Sequence, residues 1–149
     1  FFLPLPMPIG WATWERAWRH FRWDIADEAA FLADPARRLA FDFGGAYPAS
    51  RLLERTLAGS FNSYFIRWYA AMFLADGLSL CARDSLVLNA GLASGVHGHG
   101  YVATERERFF NGAWAGEADA PLAWDFPAEV AVLPEVAAHI RAELRSRGV

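Results

Sequence analysis

The 149-residue chain has no lysine, so all of its 14 basic residues are arginines. They are scattered among 17 acidic residues, and the formal net charge is −3. Without a basic run or a positive net charge, the sequence argues against a nucleic-acid partner. The single cysteine, Cys81, excludes an internal disulfide and indicates a reducing compartment. The length fits one domain with its own core.

A long apolar run is also lacking. The most apolar stretch, residues 64–80, contains Arg67, Asp76 and Gly77, which makes it a poor candidate for a bilayer span. No signal-peptide pattern is present, and we expect a cytoplasmic protein. Seven tryptophans are many for this length. They are interpreted either as core residues or as a wall on which sugar rings stack.

The first part of the chain is predicted to be extended and then helical. Alternating prolines at positions 4, 6 and 8 disfavour helix over residues 1–9. Thr13 is a suitable N-cap for a helix over residues 14–23, and the helix dipole favours an acidic residue such as Glu15 in the first turn. The three- and four-residue spacing of Trp14, Trp18 and Phe21 predicts one aromatic face.

Three further helices are predicted before the central one begins. Residues 27–33 form a short helix in this interpretation, and Asp34-Pro35 starts another that continues to about residue 40. Residues 41–45 are predicted to be a loop or a short strand. A helix over residues 49–58 is expected to stop at Gly59.

Residues 64–75 are predicted to form a central helix capped by Ser63, and the helix should be the most buried element. Its predicted core residues are Phe65, Ile66, Tyr69, Met72 and Phe73. Gly77 should end it, and short strands are predicted at residues 78–81 and 85–88. A glycine-rich loop over residues 89–100 and an irregular segment follow. Pro134 should begin a final amphipathic helix with Val136, Ile140 and Leu144 on one stripe.

Two blocks of the sequence carry a family resemblance. Residues 60–100 read SFNSYFIRWYAAMFLADGLSLCARDSLVLNAGLASGVHGHG, and residues 1–4 and 10–18 read FFLP and GWATWERAW. Together they resemble, in order and approximate spacing, segments of the catalytic domain in bacterial family 2 glycosyltransferases of the GT-A fold. The matching positions within residues 60–100 are Ser63, Ile66, Arg67, Trp68, Tyr69, Ala70, Phe73, Leu74, Gly77, Leu78, Leu80, Ser85, Leu86, Val87, Asn89, Gly91, Ser94, Gly95 and His97.

The resemblance implies an α/β fold, namely a partial GT-A (Rossmann-like) domain that is helix-rich with a few short strands. Residues 1–149 would be a single domain or fragment. Residues 1–100 would be its acceptor-side portion, and residues 101–149 an irregular segment plus the C-terminal helix. The sequence has no Asp-x-Asp motif and opens on Phe1 rather than Met. We therefore expect the nucleotide-binding half to precede Phe1 in a longer protein.

The implied activity is transfer of a sugar from a nucleotide-sugar donor to a glycan or glycolipid acceptor in surface-polysaccharide assembly. The family resemblance also implies a divalent metal, Mn²⁺ or Mg²⁺, in the full-length enzyme. By position, His97 would contact the metal or the diphosphate, and His99 would form a pair with it. The alternative is that both are ordinary loop histidines. The isolated chain is expected to be inactive.

The catalytic base is the least specified part of the prediction. The family implies an acidic residue near the start of the central helix, but this chain has Asn62 and Ser63, which could hold an acceptor hydroxyl group. The nearest acidic residues are Asp42 and Glu54, and Asp42 is the preferred candidate base because a glycine-containing loop suits function better than a helix face. The alternative interpretation of Asp42 is a solvated or capping residue.

Five positions are predicted to contact the donor or the acceptor. In the family, the backbone passes close to the donor sugar at the positions of Gly10, Trp11 and Thr13. The alternative is that these residues form a plain turn between a strand and a helix. Tyr64 stands where the family has tryptophan. Arg67, in an apolar helix, needs a partner: either a structural ion pair or a diphosphate.

Two other function classes stay open. One is a non-catalytic carbohydrate-binding or interaction remnant that keeps the aromatic face. The other is a peripheral membrane-associating domain, favoured by tryptophan and arginine on the first predicted helix, which would place the protein at the inner face of the membrane.

Overall fold

The computed structural model describes residues 1–8, 10–83 and 125–146. These residues are helix-rich with one small antiparallel sheet, which agrees with the coarse prediction of a helix-rich fold with a few short strands. The predictions made for residues 85–124 lie outside the described residues. The elements in chain order are β1 (Phe2–Leu3), α1 (Glu15–Trp18), a 3-10 helix (Glu28–Ala33), α2 (Pro35–Phe41), α3 (Ala49–Leu57), α4 (Tyr64–Leu74), β2 (Ser79–Leu80) and α5 (Pro134–Ser146).

The two strands join the first residues of the chain to the segment after α4. Phe2 pairs with Leu80 and Leu3 with Ser79 in antiparallel register, and the Cys81 amide donates to the Phe1 carbonyl at 2.8 Å. The predicted strand at residues 78–81 is therefore confirmed at Ser79–Leu80. Its described partner is the proline-flanked N-terminal segment, which sequence reasoning had predicted only to be extended.

Helices α2 and α3 begin and end as their local sequence predicts. The Asp34 carboxylate accepts hydrogen bonds from the Ala36 and Arg37 amides, and Pro35 occupies the first helical turn. Helix α3 ends with Gly59 in a left-handed conformation, φ 72°. Arg38 on α2 and Glu54 on α3 form a two-bond ion pair, with nitrogen–oxygen distances of 2.5 and 3.0 Å.

The prediction for α1 is wrong in length and in its cap. The helix ends at Trp18 instead of residue 23, and its N-cap is Trp14, which makes no side-chain capping bond, rather than Thr13. The chain turns after Trp18 because the aromatic residues that follow pack on neighbouring rings rather than along a continued helix. Phe21, for example, stacks on Trp18 with ring centroids 4.4 Å apart. The predicted single face is also wrong, since Trp14 is 61% exposed.

Helix α4 carries more buried residues than any other described element, as predicted. Ile66, Tyr69 and Met72 are buried, whereas Phe65 and Phe73 are only half-buried. The main core lies between α4, α2, α3 and the N-terminal segment. Its buried members are Leu3, Leu5, Ile25, Ala29, Phe31, Phe41, Phe43, Ala46, Ala49, Leu53, Ile66, Tyr69, Ala70, Met72, Ala137 and Leu144.

Helix α4 ends through a residue other than the predicted glycine. Asp76 takes the left-handed conformation, φ 50°. Its amide donates to the Phe73 carbonyl at 3.2 Å, and the Gly77 amide donates to the Met72 carbonyl at 2.8 Å. This pair of bonds is a Schellman motif with a non-glycine residue in its strained position. Gly77 serves instead for close approach, because a Cβ there would lie 2.8 Å from Met72 Cγ.

The C-terminal helix α5 docks on the turn that joins α2 to α3. Arg145 donates to the Gly44 carbonyl at 2.6 Å, and the Arg141 guanidinium lies 5.1 Å from the Phe43 ring centroid. Phe43 is buried and has a positive φ of 51°, a conformation that bulky residues rarely adopt. Both arginines thus place positive charge near the C-terminal end of α2, where the helix dipole favours it.

Candidate functional site

An aromatic cluster, separate from the main core, lies against α4. It consists of Trp11, Trp18, Phe21, Trp23 and Trp68. Trp11 stacks on Trp68 with centroids 5.9 Å apart and planes 21° apart. Trp18 lies 5.2 Å from Trp68 and 6.1 Å from Trp11, and Trp23 meets Phe21 edge-on at 5.3 Å. Residues 11–23 are therefore held on α4 by ring contacts rather than by a continuous helix.

The period of α4 explains why it supports both the main core and the aromatic cluster. Ile66, Tyr69 and Phe73 recur at three- and four-residue spacing and face the main core. Trp68 lies about half a turn away from that face, together with Tyr64 four residues earlier. A helix that is apolar all round thus packs on both sides.

Arg67 bridges the N-terminal end of α4 and the aromatic cluster. Its Nε donates to the Trp23 carbonyl at 2.9 Å, and a terminal nitrogen donates to the Ser63 carbonyl at 3.1 Å. The guanidinium also lies 5.5 Å from the Trp23 ring centroid. The expected carboxylate partner is not found among the described residues. Two neutral carbonyl groups and an aromatic ring therefore contact the guanidinium, and no described carboxylate neutralises its positive charge.

The residues that begin α4 are partly accessible. Ser63 is the N-cap, and its Oγ accepts a hydrogen bond from the Ile66 amide at 3.3 Å, which confirms the predicted cap. Asn62 is exposed, and the Tyr64 side chain is 44% exposed. An exposed amide and a phenol ring therefore stand beside the cap, about one helical turn before Trp68.

Gly10 and Thr13 flank Trp11 in the connecting segment. Gly10 is exposed and has φ 60°, so a side chain at this position would be strained. Thr13 is half-buried and does not cap α1. The structure thus brings Gly10-Trp11 close to the N-terminal half of α4, which places two of the sequence blocks side by side. The donor-binding roles of both residues stay predictions.

Asp42 lies at a different junction, between α2 and α3. Its two carboxylate oxygens accept hydrogen bonds from the Ser50 amide and the Ser50 hydroxyl group, each at 2.7 Å. The carboxylate therefore satisfies an amide in the first turn of α3, which is the work of a cap. Its contacts are with α3 and not with the aromatic cluster. A role as base would require it to release Ser50.

The residues predicted to hold a metal, His97 and His99, lie outside the described residues. Within residues 1–8, 10–83 and 125–146, no three His, Cys, Asp or Glu side chains are grouped as a metal-binding set. The two histidines in the described residues, His20 and His139, are exposed.

In the same part of the chain, no helix has both the length and the apolar character needed to cross a bilayer. Comparisons of the chain with models of protein families, with curated proteins and with solved structures found no match.

Sequence reasoning missed the part that Trp68 plays. The resemblance gives Trp68 only as a position that matches the family, yet Trp68 is the buried ring on which Trp11 and Trp18 pack. A signal was available in the spacing: Tyr64 and Trp68 are four residues apart and lie opposite Ile66 and Tyr69 on a helical projection. Two opposed apolar faces on one helix predict a second cluster of packed side chains.

Proposed function

We propose that the chain is the acceptor-side portion of a GT-A-like glycosyltransferase that moves a sugar from a nucleotide sugar to a glycan or glycolipid acceptor. The proposal includes a cytoplasmic location, which the single cysteine fits. Its donor side and its divalent metal would involve residues beyond those described.

One observation carries the proposal. The two blocks that resemble the family are separated in sequence by residues 19–59, and they meet where Trp11 stacks on Trp68 at 5.9 Å. The start of the same helix presents Asn62 and Tyr64 to solvent beside the Ser63 cap. An exposed ring with a hydrogen-bonding amide next to it suits a sugar, whose C–H face packs on the ring while its hydroxyl groups bond to the amide.

In this proposal, the described residues orient the acceptor rather than activate it. Sugar transfer with inversion needs a base that takes the acceptor hydroxyl proton. Asn62 and Ser63 can hold that hydroxyl group but are too weakly basic to remove its proton at neutral pH. Arg67, fixed by the carbonyls of Trp23 and Ser63, places a permanent positive charge near the acceptor. Correct positioning of the acceptor is itself a large part of catalysis.

A binding experiment tests this assignment directly. Saturation-transfer NMR with neutral oligosaccharides should show transfer to the sugar C–H protons in the presence of the chain. The Tyr64→Ala variant should lose most of the signal, because the exposed ring is removed while the Ser63 cap stays. Trp14→Ala is the matched control, since Trp14 is also exposed but makes no described ring contact with the aromatic cluster.

The possible results separate the alternatives. Equal signals from the wild type and the Tyr64→Ala variant would refute the acceptor site at α4. Loss of signal with Tyr64→Ala, in a full-length protein that nevertheless turns over no nucleotide sugar, would favour the non-catalytic carbohydrate-binding module. The exposed ring of Tyr64 is the observation that keeps this second candidate open.

A further inference from the structure

We propose that residues 14–23, WERAWRHFRW, form a surface that adsorbs to anionic lipid bilayers. This basic–aromatic segment is distinct from the acceptor site at Asn62 and Tyr64, and the proposal does not depend on the glycosyltransferase assignment. The partner is the headgroup region of a membrane that contains negatively charged lipids.

The segment exposes large amphipathic rings. Trp14 is 61% exposed, Trp23 is 64% exposed and Trp18 is 40% exposed. Indole rings favour the boundary between hydrocarbon and water, because one edge is apolar and the N–H group remains hydrated. Three exposed tryptophans within ten residues therefore suit a bilayer interface.

The segment is held in one shape before it binds. Trp18 stacks on Phe21 at 4.4 Å and contacts the buried ring of Trp68 at 5.2 Å. Arg67 fixes the end of the segment through the Trp23 carbonyl. Because the turn is already ordered, adsorption does not have to order it, and less affinity is lost. The surface is a folded turn rather than the long amphipathic helix expected from the sequence.

The segment also carries a net positive charge. Arg16, Arg19 and Arg22 are exposed, and Glu15 is the segment's one carboxylate, so its formal charge is +2 with histidine neutral. The whole chain has a formal charge of −3. The segment is thus a positive region on a negative protein, which orients it toward an anionic surface. Glu15 neutralises Arg19 at 2.6 Å and leaves two arginine charges without a described carboxylate partner.

The combination favours a lipid surface over a neutral glycan or an apolar protein groove. Neither of those partners would be attracted by three arginines interleaved with the exposed rings. Anionic headgroups attract each basic residue near the membrane surface, and aromatic rings enter the interface beneath them. Adsorption of this kind is reversible and falls as the salt concentration rises.

The test is sedimentation of the chain with vesicles of phosphatidylcholine that contain phosphatidylglycerol, compared with vesicles of phosphatidylcholine alone. Arg16→Gln should weaken partitioning about fivefold, for one charge at the membrane surface. Trp14→Ala should weaken it by on the order of tenfold, because the variant lacks the exposed apolar ring that leaves water at the interface. Neither side chain packs in the core, so both variants should fold.

Two matched controls separate this segment from general effects. Arg51→Gln removes the same charge from the exposed side of α3, and Leu39→Ser removes an apolar side chain that is 56% exposed on α2. Both should bind like the wild type. Equal binding to the two kinds of vesicle, no binding to either, or equal losses in Arg51→Gln and Arg16→Gln would each overturn the proposal. Tyr64→Ala should keep vesicle binding, so failure of the acceptor site is distinguishable from failure of this surface.

Discussion

The buried hydroxyl group of Tyr69 is expected to fix the position of α4 on α2, and its removal gives a quantitative test of the fold. Tyr69 is 1% exposed. Its hydroxyl group donates to the Phe41 carbonyl at 2.8 Å, and the two rings are 4.7 Å apart. Phe41 is the last residue of α2, where carbonyls lack partners within the helix. Tyr69→Phe leaves this carbonyl without its described donor.

The expected loss follows from that geometry. Removing one partner of a buried hydrogen bond costs about 1–2 kcal/mol, because the remaining carbonyl stays desolvated. The ring of phenylalanine keeps its packing against Phe41, so no large cavity adds to the loss. For a chain of this length, the melting temperature should fall by roughly 2–8 °C.

The same substitution has a pH dependence of known sign. Burial, with smaller contributions from Tyr47 and Asp42, raises the pKa of Tyr69. The unfolded chain therefore ionises this phenol above about pH 10, whereas the folded chain keeps it protonated. The stability that Tyr69 contributes is complete below that pH and is lost above it, by about 1.4 kcal/mol per pH unit. Tyr69→Phe cannot show this loss, so its deficit should shrink at high pH.

Urea unfolding followed by tryptophan fluorescence measures both effects, at about pH 8 and at about pH 11, on either side of the phenol's ordinary pKa. Tyr47 and Cys81, whose pKa values are also raised by burial, contribute equally to both proteins. Tyr64→Phe is the matched control on the same helix, because Tyr64 is 44% exposed. This substitution should lower the free energy of unfolding by less than about 0.5 kcal/mol. A Tyr69→Phe deficit that is absent at the lower pH, or unchanged at the higher one, would refute the described packing.

Two other predictions concern the turns that position α3 and α4. Gly77→Ala should destabilise the chain by about 1–3 kcal/mol, because the added Cβ would meet Met72 Cγ at 2.8 Å and the Met72 carbonyl at 3.1 Å. Asp76→Gly, one residue earlier, should raise stability by up to about 1 kcal/mol by relieving its positive φ. A melting temperature that is higher for Gly77→Ala than for Asp76→Gly would show that the end of α4 is described wrongly. Asp42→Ala should cost about 1–2 kcal/mol in urea unfolding, because two bonds to Ser50 are lost. Ser50→Ala, which keeps the amide bond to Asp42, should cost less, and an equal cost would mean that the cap is not formed through the amide.

Features that depend on neighbouring residues could be predicted from the sequence alone. Asp34-Pro35 and Ser63 begin their helices as expected, and Gly59 ends α3, because each acts on amides or carbonyls within one turn of itself. The apolar run of α4 and the stripe of α5 also suffice to predict helices, since their period is a property of the local chain.

The candidate site could be predicted only in part. The resemblance pointed to Gly10, Trp11 and Ser63 separately, and the cap at Ser63 followed from its position. The ring contact that joins the two blocks, Trp11 on Trp68, did not follow from either block, because it depends on how distant segments pack on α4. The roles of His97 and His99 stay predictions, since both lie outside the described residues.

Tertiary structure decided the features in which distant groups compete with local preference. Helix propensity favours continuing α1 to residue 23, but the chain turns so that Trp18 and Phe21 stack beside Trp68. Likewise, Phe43 and Asp76 take left-handed conformations that glycine would adopt more readily. For Phe43, packing makes this possible, because its burial beneath α5 gains more free energy than the strained backbone costs, about 1–2 kcal/mol. Local sequence sets where helices begin and end, whereas the burial of large rings sets which segments meet.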